Sequence, residues 1–252
     1  MSCAQRSSNS GHAREIVKAC QRELEEDGFR NRKNTTLWRR TNVKFDVLKF
    51  DIIPNTRCQK WHVPLGSFGL APSCFFPFLP RLGHAPDEEI LRPEKGFGQV
   101  RLSISRGIPQ PLVRVPNVWW AGDSPSVFDA VTRDVLGKIT GEVFPFFNRF
   151  DDPEELLRTF LEDDDEIGRG GVLDFGKKES PKRLLYTGFA AIECSKWDLA
   201  ISSLRACREK TMGIPEPVGE RVQAEILPYI DKGLACAERE TAWVSAFGMT
   251  AR

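Results

Sequence analysis

Apolar and polar positions alternate in two rhythms along this chain, one in each half. In the first half, Ile16, Val17, Cys20 and Leu24 recur at helical spacing while Lys18, Gln21, Arg22, Glu25 and Glu26 fill the other face. That predicts an amphipathic helix with one buried stripe. Gly28 stands where a C-terminal stop belongs, because glycine takes the left-handed conformation without a side-chain clash, and Phe29 can fold back onto the helix. Leu37-Trp38-Arg39-Arg40, a polar Thr41-Asn42 corner and the alternating Val43, Phe45 and Val47 predict a hairpin. The alternation slips at Val47-Leu48 and resumes as Leu48, Phe50 and Ile52, the pattern of a β-bulge. Trp61, Val63 and Leu65 predict a further short strand between Trp61 and Phe68. Val100, Leu102 and Ile104 against Arg101, Ser103 and Ser105 predict another, from Gln99 to Arg106, with one face in water. A sheet of about four antiparallel strands follows. Between these strands, Gly69 to Lys95 carries Pro72, Pro77, Pro80, Pro86 and Pro93 around Phe75, Phe76 and Phe78. Prolines at that density predict a long irregular excursion packed down by its phenylalanines.

The rhythm changes to helical at Asp123. Asp123 or Ser124 as N-cap, Pro125 in the first turn, and Val127, Phe128, Val131, Val135, Ile139 and Val143 on one stripe predict a helix that covers the sheet. Asp152-Pro153-Glu154 starts another by the same logic, with Leu156, Leu157, Phe160 and Leu161 apolar. Beyond the Gly168–Gly176 loop, helices are predicted over Leu184–Cys194, Trp197–Arg208 and Val218–Phe247, the last kinked at Pro228. Gly188, Ala200 and Leu204 stand at small-small-large positions of a helical hairpin similar to one tetratricopeptide unit, with Lys196-Trp197-Asp198 as its turn. One unit does not make an array, which needs about three to bury a continuous core, so a generic helical hairpin is the expectation. Met1 to Ala13, rich in Ser, Asn and Gly, reads as a flexible tail. The fold class is therefore α+β: an antiparallel β-sheet covered by helices over residues 14–150, and a helical C-terminal region over 151–252.

The Gly28-Phe29-Arg30 and Leu37-Trp38-Arg39-Arg40 elements, joined by a basic and polar turn, resemble the opening of the bacterial family catalogued as domain of unknown function 4304. The resemblance extends loosely through the strands to Val118-Trp119 and on through the later helices to Arg205, roughly residues 15–205. That family carries no established activity, so the resemblance implies a bacterial source and transfers no site residue.

Composition narrows the picture. The 252 residues hold 36 basic and 35 acidic side chains, so no global charge pulls the chain toward nucleic acid or membrane. Locally the charge is segregated. Arg30, Arg32, Lys33, Arg39, Arg40 and Lys44 cluster in the opening hairpin, and Asp151, Asp152, Glu154, Glu155 and Glu162 to Glu166 (Asp163, Asp164 and Asp165 between) form an acidic segment. Seven scattered cysteines with no C-x-x-C pair disfavour zinc ribbons and thioredoxin-type redox chemistry and fit a reducing cytoplasm. No apolar run approaches the roughly twenty residues that span a bilayer, and the opening has no signal-type apolar core. A cytoplasmic protein with no membrane partner is the expectation.

Several motifs fall short of a mechanism. Gly171-x-x-x-x-Gly176-Lys177-Lys178 has the glycine spacing of a P-loop but puts Lys178 where a Ser or Thr must hold magnesium. Asp163-x-Asp165 with Gly168 begins like a calcium loop, yet Ile167 occupies a ligand position and Asp174 stands where a bidentate Glu is expected, so a solvated acidic run is the expectation. Gly122-Asp123-Ser124 resembles the first block of one esterase class, but Pro125 follows and a helix begins, so N-capping explains the triplet without chemistry. A hydrolase would need His62 or His84 as base beside Ser124, and no metal or cofactor is implied by three spaced histidines. The function expected is a non-enzymatic, cytoplasmic, protein-binding protein of immunity or adaptor type. Its candidate contacts are Arg30, Arg32, Lys33, Trp38, Arg39 and Arg40 on the hairpin and Asp163, Asp164, Asp165 and Glu166 in the acidic segment. Nucleic-acid binding through the basic hairpin and Trp38 is the alternative, since single-strand binders combine aromatics with cations.

Overall fold

The computed structural model describes residues 3–33, 35–83, 98–104, 117–122, 124–165, 172–173 and 175–241. It is an α+β protein with an antiparallel sheet and helices concentrated toward the C-terminus. The elements run α1 (Cys3–Glu25), β1 (Arg30–Lys33), β2 (Thr36–Arg40), β3 (Phe45–Ile52), α2 (Asn55–Trp61), β4 (Ser67–Phe75), β5 (Val100–Leu102) and β6 (Val118–Trp120). They continue as α3 (Pro125–Lys138), a π-helical turn (Ile139–Val143), α4 (Phe144–Arg149), α5 (Pro153–Leu161), β7 (Val172–Leu173), α6 (Pro181–Glu193), α7 (Trp197–Met212) and α8 (Val218–Glu238). The chain divides into two compact units. The first comprises Met1–Arg39, Asp46–Ser73 and Arg101–Asn148, the second Arg40–Phe45, Cys74–Val100 and Arg149–Arg252.

In the first unit α1 buries Ala13, Ile16, Val17, Cys20 and Leu24, the expected stripe. It stops as its sequence dictates. Gly28 takes φ +83°, its N–H bonds the Glu25 carbonyl at 3.0 Å, and the Phe29 N–H bonds the Leu24 carbonyl at 3.2 Å. At its other end α1 begins at Cys3, so residues 3–13 are helical and not the flexible tail that their Ser, Asn and Gly content suggests. Tertiary docking overrides weak local propensity there: Ala13 is fully buried, and His12 Nδ1 lies 3.2 Å from the Gly122 carbonyl oxygen.

The sheet runs in the order β1-β2-β3-β4-β5-β7, with β6 also on β4. β1 pairs antiparallel with β2, Arg30 opposite Trp38, with a bulge between Asn31 and Lys33. The basic stretch after Phe29 is thus an edge strand, where the sequence suggested a turn. The β2–β3 hairpin forms where expected, and Phe45, Asp46, Val47 and Leu48 are all buried. Burial of four successive residues puts protein on both faces of β3 there, so that part of the strand has no solvent side and its apolar pattern need not alternate.

Two expectations need correction here. The strand placed between Trp61 and Phe68 is instead the end of α2, a turn, and the start of β4. Pro54, extended at ψ 149°, leads into that helix, and Cys58 is its buried anchor, packing with Ile53, Val63 and Val118. The irregular excursion from Gly69 is also corrected, because β4 continues through Pro72 to Phe75. Pro72 lies past the segment Ser67–Gly69 that pairs with β6, so the missing N–H costs no bond in that ladder. Phe75, Phe76 and Phe78 are buried, as the packing argument required; residues 84–95 of that stretch lie outside the described residues. β6 pairs Phe68 with Trp119, whose rings stack 6.0 Å apart, and the Trp119 indole donates to Asp134 of α3 at 2.7 Å.

In the second unit α6, α7 and α8 pack on one another and α5 packs on α6. Gly188 and Gly233 set the spacing. A Cβ on Gly188 would sit 2.6 Å from Leu204 Cγ, and one on Gly233 2.9 Å from Leu204 Cδ1. The small-small-large pattern is therefore a close helix approach. Its turn is Cys194–Lys196, with Ser195 left-handed at φ 56°, and Trp197 already belongs to α7. The last helix ends at Glu238, short of Phe247, with Pro228 inside it.

Candidate functional site

Strand β2 carries the basic candidates outward and inward in turn. Arg40 is exposed and sits 5.9 Å over the Phe45 ring. Arg39, half-buried, lies 4.9 Å over Phe29 and 5.2 Å over Phe144, and donates from Nε to Asp46 Oδ2 at 2.7 Å. The Asp46 side chain is fully buried, so this guanidinium neutralises an internal carboxylate. Phe29 and Phe144 stack in parallel planes, and Arg39 completes an aromatic box that ties the end of α1 to α4. Trp38 is half-buried and Arg30 exposed; the side chains of Arg32 and Lys33 lie outside the described residues. Lys44, the sixth cation of the cluster, is fully buried and paired with Asp151 at 2.8 Å. Two of the six cations are thus spent, Arg39 on the internal carboxylate of Asp46 and Lys44 buried against the exposed Asp151, which shrinks the cationic face expected of the hairpin.

The acidic segment is tied to cations of its own unit. Asp152 caps α5 by accepting from the Glu154 N–H at 2.9 Å. Glu154 pairs with Lys196, and Glu155 takes Arg149 at 2.7 Å and Arg158 at 2.5 Å. Burial acts to raise the Glu155 carboxyl, but hydrogen bonds from Arg158 and Arg149 outweigh it and hold the group below the usual carboxylate range. Lys178 bonds Asp163 and holds that carboxyl low as well, while the Lys178 N–H donates to Asp164 at 2.8 Å. Arg183, 2% exposed, is the organising cation. Its Nε donates to the Phe160 carbonyl at 2.8 Å, one terminal nitrogen to Asp164 at 2.6 Å and the other to the Glu162 carbonyl. These carbonyls close α5, where a cation offsets the negative end of the helix dipole. Asp165 is exposed, and Glu166 lies outside the described residues.

Lys178 is accordingly committed to Asp163 and Asp164, whatever phosphate role its P-loop-like spacing suggested. In the calcium-like pair, Asp163 is engaged by Lys178. His62 closes α2 in the left-handed conformation at φ 52°, and Ser124, the residue before α3, places its Oγ 3.1 Å from Ser126 Oγ. His84 lies outside the described residues. Burial pushes the Cys20 thiol up to about 12 and the Cys207 thiol to about 11, so both are protonated, small apolar core groups at neutral pH.

One feature of the second unit escaped sequence reasoning. Met212 closes α7 and Val218 opens α8, and they are 57% and 60% exposed across the turn Gly213–Pro217. Glu209, Glu216 and Glu220 lie near them in sequence and are exposed, as are Lys210 and Arg221. The signal was present as large apolar residues beside a Gly-Ile-Pro-Glu-Pro break, where no helical stripe demands them.

Among the described residues no helix is long and apolar enough to cross a membrane. Compared with protein-family models, with curated proteins and with solved structures, the chain matches none.

Proposed function

We propose that this chain is a non-enzymatic, cytoplasmic, protein-binding protein of immunity or adaptor type, related to the family its opening resembles, and that it holds its partner at the corner between α7 and α8. The observation that carries this reading is the exposure of Met212 and Val218, which flank the turn Gly213–Pro217 at the ends of two packed helices. Apolar side chains held in water at the end of packed helices gain free energy only when a partner covers them. The exposed charges flanking the corner are of both signs, Glu209, Glu216 and Glu220 with Lys210 and Arg221, so the partner that fits brings an apolar anchor inside a mixed polar rim. The acidic segment 151–165 is a weaker candidate for that surface, because Lys44, Arg149, Arg158, Lys178, Arg183 and Lys196 already answer its carboxylates.

The test is capture of partners from the native host by wild-type chain and by the double variant Met212→Asp, Val218→Asp, at low and high salt and after nuclease treatment. The expected result is a discrete protein bound by wild type and weakened at least about 30-fold by the variant, the size of an interface hot spot. Retention of that protein by the double variant would rule out the corner as the contact. Capture that depends on nucleic acid would replace the reading with the basic hairpin.

A further inference from the structure

A cleft of about 440 Å³ opens in the first unit between α1 and the sheet, lined by Arg14, Val17, Lys18, Thr35 and Ile52. Its volume is within the range of about 300–1,000 Å³ typical of small-molecule sites. The lining is divided by chemistry. Arg14, Val17 and Lys18 stand at i, i+3 and i+4 on α1 and so share one helical face. Val17 is buried, and Ile52 at the end of β3 is half-buried, which gives the cleft an apolar wall. Arg14 and Lys18 are exposed at its rim, and Thr35, just before β2, adds a hydroxyl.

The two cations differ. Lys18 pairs with Glu15 at 2.9 Å, both side chains more than half exposed, an arrangement worth little and easily exchanged. Arg14 has no carboxylate partner among the described residues, and its planar fork suits a carboxylate in a two-point contact. We infer that this cleft binds a small amphiphilic carboxylate, with the head group on Arg14, Lys18 and the Thr35 hydroxyl and the apolar body against Val17 and Ile52. Glu15 belongs to the same helix and faces Lys18, so it repels a second negative charge at that end and favours a monoanion. The inference is independent of the corner between α7 and α8.

The experiment titrates the full chain with octanoate, acetate, octylammonium and inorganic phosphate, reading affinity by calorimetry and the amide resonances of Val17, Thr35 and Ile52 by NMR. Octanoate is expected to saturate and to shift those three amides. Acetate, lacking the body, and octylammonium, lacking the charge, are each expected to bind at least about tenfold more weakly, which corresponds to about 1.4 kcal/mol. Arg14→Ala is expected to weaken octanoate about tenfold, and Arg14→Lys to restore part of it. Arg14 is exposed, so an unchanged thermal melt is expected for both variants. Equal binding of octanoate and octylammonium, octanoate affinity unchanged in Arg14→Ala, shifts confined to other amides, or no octanoate binding would each overturn the inference. Phosphate binding as tightly as octanoate would do so too, by showing that the apolar wall adds nothing.

Discussion

At the scale of single residues, buried cations explain why charged runs in this sequence are not free surfaces. Arg39 illustrates the physics. Its guanidinium faces a carboxylate with no solvent exposure and three phenylalanine rings, all within 6 Å of its carbon. Replacing it by methionine keeps the apolar stem but leaves Asp46 without that cation, which costs about 3–5 kcal/mol. Asp46→Asn in the same background is expected to recover a substantial part, because the two changes share one interaction. Urea melts of the two single variants and the double variant measure this coupling. Additive losses would mean that Arg39 acts through its stem alone, and would return its charge to the list of groups available for a ligand.

At the scale of elements, helix packing in the second unit rests on two glycines facing one leucine. Gly188→Ala puts a methyl group 2.6 Å from Leu204 Cγ, a distance that forces α6 and α7 apart or Leu204 off its rotamer. Overpacking of this kind costs about 1–3 kcal/mol, against a gain of up to about 1 kcal/mol from the better helix propensity of alanine. A net loss in Tm is expected for Gly188→Ala, and Leu204→Val beside it should return part of that loss. A gain in Tm would show that the helices can separate without cost. The elements that sequence pattern revealed are those governed by near neighbours: the α1 stop at Gly28-Phe29, the hairpin at Thr41-Asn42, the Asp152 cap and the apolar stripe of α3. The misread elements depend on distant partners. Residues 3–13 are helical although Ser, Asn and Gly favour a loop, β4 passes through Pro72 because its neighbours change along its length, and α2 hides behind the alternation of Trp61, Val63 and Leu65. The charged candidates were legible as residues and not as roles, since composition does not say that Lys44 points into protein toward Asp151 or that Arg183 closes α5.

At the scale of the whole molecule, a division at residue 150 looks natural in the sequence, where the acidic helices begin, but the second unit does not consist of 151–252 alone. Its Tyr229 hydroxyl donates to the Arg81 carbonyl at 2.9 Å, and its Asp151 takes the buried Lys44 ammonium. Phe76 meets Phe150 edge-on at 6.4 Å and is held by Gln99, which accepts from the Phe76 N–H at 2.8 Å and donates to its carbonyl at 3.2 Å. A fragment of residues 151–252 loses all of these partners while keeping the α5–α8 packing. Helices without their full apolar cover retain secondary structure but lose fixed tertiary contacts. The fragment is therefore expected to show helical far-UV circular dichroism, to bind ANS, and to unfold over a broad range well below the intact chain. The intact chain, which holds every segment of the second unit, is expected to show the sharper transition and the lower ANS binding. If 151–252 instead unfolds sharply at the temperature of the intact chain, then Arg40–Phe45 and Cys74–Val100 contribute nothing to that unit's stability, and the acidic helices are a domain in their own right.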